Sequence, residues 1–293
     1  MKIAAITVLY NPDEEVFENI KTYIDAVDVV YAIDNSESDN SKMFSQEKIK
    51  YLPNHKNLGV AKALNMGAKL ATEYGCDWML TMDQDSRFSD NGVERMKEFI
   101  SFLDGGGCTP CLFGMTRENV GIVVPFHDTP INPITNPRGF CFEDIVMTSG
   151  NMVSLAAYNK IGGYNEDYFI DALDFDFSLN LRNHGFDIIR LNYITLTHGL
   201  GNPIFKTFLG KKMYSLNHSY IRRYYIVRNR KYFYDAYKDT FPAFCEAEKR
   251  RTSREAIKIL LLEKQKFKKL LYMYRGYKDY ERGIKGEIPS KYI

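Results

Sequence analysis

Three short apolar runs near the start of the chain, IAAITVLY (3–10), VDVVYAID (27–34) and CDWMLTMD (76–83), each end in a polar turn, with helical patterns between them. A first helix is expected around Glu14 to Ile24, capped by Asn11 or Asp13, and a second over Ala61 to Tyr74 with Gly75 as its stop. Strand, helix, strand, helix, strand in that rhythm implies an α/β fold, with a mostly parallel sheet, right-handed crossovers and flanking helices. Such sheets bind ligands beyond the carboxyl ends of their strands. Tyr10-Asn11, Asp34-Asn35 and Asp83-Gln84-Asp85 should therefore converge on one crevice.

The 293 residues are 45% hydrophobic, enough for one large core or two modest ones. No run approaches the roughly 18 apolar residues of a spanning helix. The first run has the length of a signal-peptide core, but one lysine precedes it and Asn-Pro-Asp-Glu-Glu follows, so it reads as a buried strand of a cytoplasmic protein. Five scattered cysteines argue for a reducing compartment, and Cys108-Thr-Pro-Cys111, after three glycines, reads as two incidental loop thiols.

The net charge of +2 hides an asymmetry. Residues 1–205 hold 16 Lys+Arg against 28 Asp+Glu, while residues 206–293 hold 23 against 9 and carry 12 of the 21 tyrosines. Interleaved basic and aromatic residues suit an anionic membrane surface or a phosphate. Arg222-Arg223-Tyr224-Tyr225 and Arg228-Asn229-Arg230 are expected on a helix, where Arg228 could close over a pyrophosphate. Ile257, Leu260, Leu261, Phe267, Leu271 and Tyr274 recur at helical spacing among lysines. That helix either lies on a membrane leaflet or packs on its own catalytic half or a second subunit, as in a homodimer.

Two carboxylates within one turn repel unless a cation lies between them, and Asp83-x-Asp85 at a strand end suits Mg²⁺ or Mn²⁺ as well as a solvated turn. No glycine-rich phosphate loop follows the first strand, which counts against dinucleotide and P-loop sites. Asn57-Leu58-Gly59 opens the second helix and either caps it or presents backbone N–H groups to an anion. Asp171 and Asp174, three apart, are expected on one helical face, either as an acidic helix start or with one of them a tuned base. His198 is a structural histidine unless a metal site lies beside it.

In order along the chain, TVLYNP, AIDNSES, NLGVAKALNMGAK, DQDS, TSGNMVS, IGGYNEDYFIDALDFDFSLNLRNHG, THGLG and RRYYIVRNR resemble the family 2 glycosyltransferases of the GT-A fold, closest to their bacterial rhamnosyltransferase branch. The resemblance implies a GT-A catalytic domain over 1–205, with a nucleotide-sugar half to about 90 and an acceptor half beyond, and a basic helical region over 206–293. It implies that Thr7, Tyr10, Asn11, Asp34, Asn35, Asn57, Gly59 and Lys62 line the nucleotide pocket, with Gln84 and Arg228 also on the donor side. Asp85 would hold the metal, Asp83 would face the ribose and His198 would complete the shell. Asp174 falls at the catalytic base; Leu173 stands where the family usually has Glu, so Asp171 is a second candidate. Gly150 and Asn151 are the acceptor-side candidates.

The implied partners are a nucleotide-sugar donor, dTDP-L-rhamnose, and a saccharide acceptor on a lipid, with no nucleic acid. A nucleotidyltransferase is the second enzymatic reading, and an RNA- or membrane-binding module the non-enzymatic one.

Overall fold

The structure is a computed structural model, described for residues 1–103, 115–129, 138–199, 203–208 and 211–293. Cys108 and Cys111 lie outside these residues, as do Leu200 and Gly201 of the THGLG motif. The chain forms two compact units, one of Met1–Asn165 with Asp174–Gly199 and one of Glu166–Leu173 with Leu200–Ile293.

The first unit is built on a nine-stranded sheet. Its strands are β1 (Ile3–Leu9), β2 (Val29–Asp34), β3 (Ile49–Pro53), β4 (Trp78–Asp83), β5 (Ser86–Phe88), β6 (Val120–Asp128), β7 (Phe140–Phe142), β8 (Asn151–Ser154) and β9 (Asp187–His198). The order is β3-β2-β1-β4-β8-β6-β9-β5, with β7 also on β9. Strands β1, β2, β3, β4, β6 and β9 run one way and β5, β7 and β8 the other, so the sheet is mostly parallel as expected. The ends of β1, β2, β4, β6 and β9 therefore share one edge.

Helices α1 (Glu15–Lys21), α2 (Val60–Glu73), α3 (Gly92–Leu103), α4 (Leu155–Ile161) and α5 (Leu173–Asn183) complete this part of the chain. On α2, Ala61, Ala63, Leu64, Gly67, Ala68 and Ala71 are buried, a face of small residues at i, i+3, i+4 and i+7. Smallness matters there because a Cβ on Gly67 would collide with the Ile6 side chain of β1. The helix stops as expected: Gly75 has φ +77°, its N–H reaches Thr72 O, and Cys76 N–H reaches Ala71 O. Helix α1 begins one residue late and ends early; Asp13 Oδ1 accepts from Glu15 N at 3.1 Å.

One expectation fails at α5. Asp171 and Asp174 do not share a helical face, because the helix starts at Leu173 and Asp171 and Ala172 before it are left-handed, with φ of +63° and +67°.

The second unit holds the hairpin β10 (Ile204–Phe208) and β11 (Lys211–Ser215) and helices α6 (Tyr220–Tyr237), α7 (Pro242–Leu262) and α8 (Lys266–Glu281). A Cβ on Gly276 of α8 would strike the Tyr224 carbonyl, so α6 and α8 meet backbone to backbone at that point. The expected single helix through Ile257–Tyr274 is two, broken at Glu263–Gln265 with Gln265 at φ +53°. Buried Glu263 anchors that corner, bonded to Arg223 (2.7 Å), Lys269 (2.5 Å) and Ser215 Oγ. Burial alone would raise its pKa; those three partners together hold it below the usual carboxylate range. Among the described residues no helix is long and apolar enough to cross a membrane.

Candidate functional site

Strand β4 ends at Asp83, and the chain turns at once into β5, which runs antiparallel to the end of β9 with Ser86 opposite His198. That register, not proximity in sequence, brings the histidine to the two acids. His198 Nδ1 lies 3.5 Å from Asp85 Oδ1 and 4.0 Å from Asp83 Oδ2, and Ser86 Oγ, 2.6 Å from the same nitrogen, fixes the rotation of the ring. One ligand atom from each of Asp83, Asp85 and His198 falls within 4.8 Å of the others. Both carboxylates reach solvent, at 40% and 49% side-chain exposure, and the imidazole stands behind them at 17%.

Two hard oxygens and one imidazole nitrogen at this spacing fit Mg²⁺ or Mn²⁺, with open positions for water and phosphate oxygens. Gly199 keeps the place clear, since a Cβ there would stand 2.5 Å from Asp85 Oδ2. Beside the cluster, His127 donates from Nε2 to Ser149 O at 2.7 Å. Burial pulls its pKa down to about 4, with His198 adding to the effect, so it stands neutral as a support for the 149 turn.

That turn is tied to β4 from above. Ser149 Oγ accepts from Asp83 N at 3.0 Å, Thr81 Oγ1 donates to Thr148 O at 2.6 Å, and Gly150 N donates to Thr81 O at 2.7 Å. Gly150 is required here: its φ is +80° and a Cβ would press on Leu196 and Pro125. Gly150 and Asn151 are both buried, and Asn151 Oδ1 has no hydrogen-bond partner among the described residues. A buried oxygen left so is costly unless a donor reaches it.

Asp174 lies in the first turn of α5, with its Oδ1 accepting from Phe175 N at 3.1 Å. Tyr164 packs on the same helix. Burial raises the pKa of its phenol. Tyr164 stacks on Phe177 of α5 at 4.0 Å, and Asn65 of α2 holds the tyrosine's backbone at both N–H (3.0 Å) and C=O (2.8 Å).

The expected nucleotide pocket divides into walls and open residues. Asp34 is fully buried and accepts from Ser36 N and Oγ, Asn40 Nδ2 and Tyr51 Oη. Burial opposes its ionisation, but the Asn40, Ser36 and Tyr51 bonds outweigh that and keep its pKa low. Asn35 bridges Gly59 O and Asn54, so it fixes the turn before α2; Asn57 Oδ1 accepts from Gly59 N at 2.9 Å. Gln84 pairs its amide with both backbone groups of Tyr10, clamping the end of β1 to β4, while Asn11 N bonds Ser36 Oγ. Tyr10, Asn57 and Lys62 are exposed.

Three further expected residues are tied to the protein's own groups. Thr7 is fully buried, its hydroxyl 2.8 Å from Tyr23 Oη, under the sheet's edge rather than on it. Asp171 belongs to the second unit, where Arg222 grips its carboxylate through Nε and Nη2 at 3.0 to 3.2 Å. Arg228 is also buried in that unit, bonded to Gly286 O at 2.7 Å and to Asn229 Oδ1 at 3.0 Å. Sequence reading missed Ser86, His127, Ser149 and Tyr164; TSGN and GGY were visible as motifs, but only the strand register shows what they support.

Residues 5–150 match Glycosyl transferase family 2. The dTDP-rhamnosyl transferase RfbF of Shigella flexneri is 24% identical over 236 residues, covering 78% of this chain and 78% of its own. S. aureus TarS 1–349 in complex with UDP-GlcNAc superposes at a TM-score of 0.59 and 14% identity over 100% of this chain and 83% of its own. GalNAc-T7 with UDP, GalNAc and Mn²⁺ does so at 0.51 and 12% identity over 67% of this chain, which spans 43% of that one. The two structures give the fold, that of the GT-A enzymes.

Proposed function

Because the chain belongs to glycosyl transferase family 2, in the branch of its rhamnosyl-transferring relative, and so transfers sugars, we propose that it is an inverting, metal-dependent rhamnosyltransferase. It moves L-rhamnose from dTDP-L-rhamnose to a hydroxyl of a lipid-linked precursor of a cell-surface polysaccharide. The observation that carries this reading is the cluster of Asp83, Asp85 and His198 at the ends of β4 and β9. The relative's name supports the donor.

A divalent cation held by Asp85, Asp83 and His198 would supply charge for the departing diphosphate. Asp174 accepts the proton of the acceptor hydroxyl as that oxygen bonds the anomeric carbon. The bond from this carbon to the phosphate oxygen breaks in the same step, and the diphosphate leaves with the electron pair, so configuration inverts. Tyr10, Asn57, Lys62 and Asp83 meet the nucleotide, over the wall that Asp34, Asn35, Gly59 and Gln84 build. Gly150 and Asn151, both buried, would shape the acceptor side from beneath. NMR of the sugar first released during slow donor hydrolysis tests the mechanism: the anomer opposite to the donor's is expected, and retention would contradict it.

The relatives named above favour sugar transfer over a nucleotidyltransferase or an RNA-binding module, and the membrane enters as the acceptor's location. We place the protein in the cytoplasm, peripheral on the inner face of the plasma membrane. The corner between α7 and α8 supports contact with the lipid surface. Phe267 is 86% exposed there, with Leu260, Leu261, Leu271 and Tyr274 also exposed and Lys264 and Lys268 beside them. A second copy docked symmetrically on this corner would oppose lysine to lysine. Phe267→Ser with Lys264→Glu and Lys268→Glu should cut flotation with vesicles rich in anionic lipid by about tenfold or more, since each lysine contributes about 1 kcal/mol; unchanged flotation would remove this surface.

A further inference from the structure

The segment that leads into Asp174 follows a path its own residues do not favour. Phe169, Asp171 and Ala172 have φ of +59°, +63° and +67°. For any residue but glycine, that region crowds the Cβ against the following carbonyl oxygen. Such a path persists only where surrounding bonds over-determine it.

The bonds come from α6. Asn229, fully buried, points Nδ2 at the carbonyl oxygens of Tyr168, Ile170 and Asp171, at 2.7, 2.6 and 3.0 Å. The amide has two N–H groups for three acceptors, so one bond is shared. Arg228 Nε donates to Asn229 Oδ1 at 3.0 Å, which fixes the end of the amide that faces the segment. Arg222 holds the Asp171 carboxylate, and the Phe169 ring stacks on Tyr225 at 5.2 Å. Every one of these contacts lies within the second unit. Asp174 follows Ala172 by two residues in the chain.

We propose that Asn229 is a positioning residue for Asp174. It holds Tyr168–Asp171 in the left-handed path, and the chain so held sets where α5 starts and where its first-turn carboxylate stands. Arg228 orients the amide and Arg222 anchors Asp171, which gives both arginines and Asp171 a part in the chemistry without touching substrate. The inference rests on reading Asp174 as the proton acceptor.

The test measures metal-supported donor hydrolysis and, by calorimetry, donor affinity for Asn229→Leu, Asn229→Gln, Arg222→Met and Asp174→Asn. Displacement of a reacting group by about 1 Å costs about 100-fold. Asn229→Leu should lower kcat by that order with donor affinity within about twofold, and Asn229→Gln, which keeps the donors on a longer arm, should recover part of it. Arg222→Met, at a half-exposed side chain, should show the same pattern at about tenfold and decides the matter if Asn229→Leu does not fold. Unchanged kcat in folded variants, or kcat and donor affinity falling together, would overturn the proposal. An active Asp174→Asn would remove the base assignment itself, whereas an inactive Asp174→Asn beside a fully active Asn229→Leu removes only the role of Asn229.

Discussion

Asp174→Asn is expected to bind donor as the parent does and to lower transfer by roughly 10²- to 10⁴-fold. The change keeps size and hydrogen-bonding shape but removes the group that takes the acceptor's proton. Its Oδ1 accepts from Phe175 N, a bond that an amide oxygen also makes. A loss of 10³-fold corresponds to about 4 kcal/mol of transition-state stabilisation. Donor titration and acceptor-dependent turnover on the same preparation check it, and equal losses in both would point to a donor-binding role for Asp174.

Asp85→Ala should abolish metal-supported donor binding, a loss of roughly 10³-fold or more in kcat/KM. The metal-free protein should melt no lower than the parent, because removing one of two neighbouring, half-exposed carboxylates relieves repulsion. Gly199→Ala is the graded form of the same experiment. Its Cβ, 2.5 Å from Asp85 Oδ2, forces the carboxylate to turn, and about a tenfold weakening of donor binding in Mn²⁺ is expected. A folded Asp85→Ala protein that still needs and uses metal would show that the ion sits elsewhere.

The strand ends of β1, β2 and β4 were legible because each apolar run closes on Asn, Asp or Pro. Strand β3 was not: of its five residues only Ile49 is buried, so IKYLP lacks the apolar run that marks the others. The pairing of His198 with Asp85 spans 113 residues of chain, and no local pattern carries it; the β5–β9 register does. Asp171 and Asp174 misled for a different reason. A spacing of three places residues on one face only inside a helix, and nothing in Asp-Ala-Leu announces two left-handed residues. Charge in the tail likewise could not tell Arg228, sealed among Tyr224, Tyr225 and Gly286, from a lysine in water.

The central claim, a metal-built donor site for a deoxythymidine diphosphate sugar, is tested most directly by calorimetric titration of the purified chain with dTDP-L-rhamnose, with and without Mn²⁺. Binding in the micromolar range with Mn²⁺, at least about tenfold weaker in chelator and weaker for UDP-sugars, is the expected result; each tenfold step is about 1.4 kcal/mol. No binding of dTDP-L-rhamnose in Mn²⁺, or binding indifferent to the metal, would contradict it.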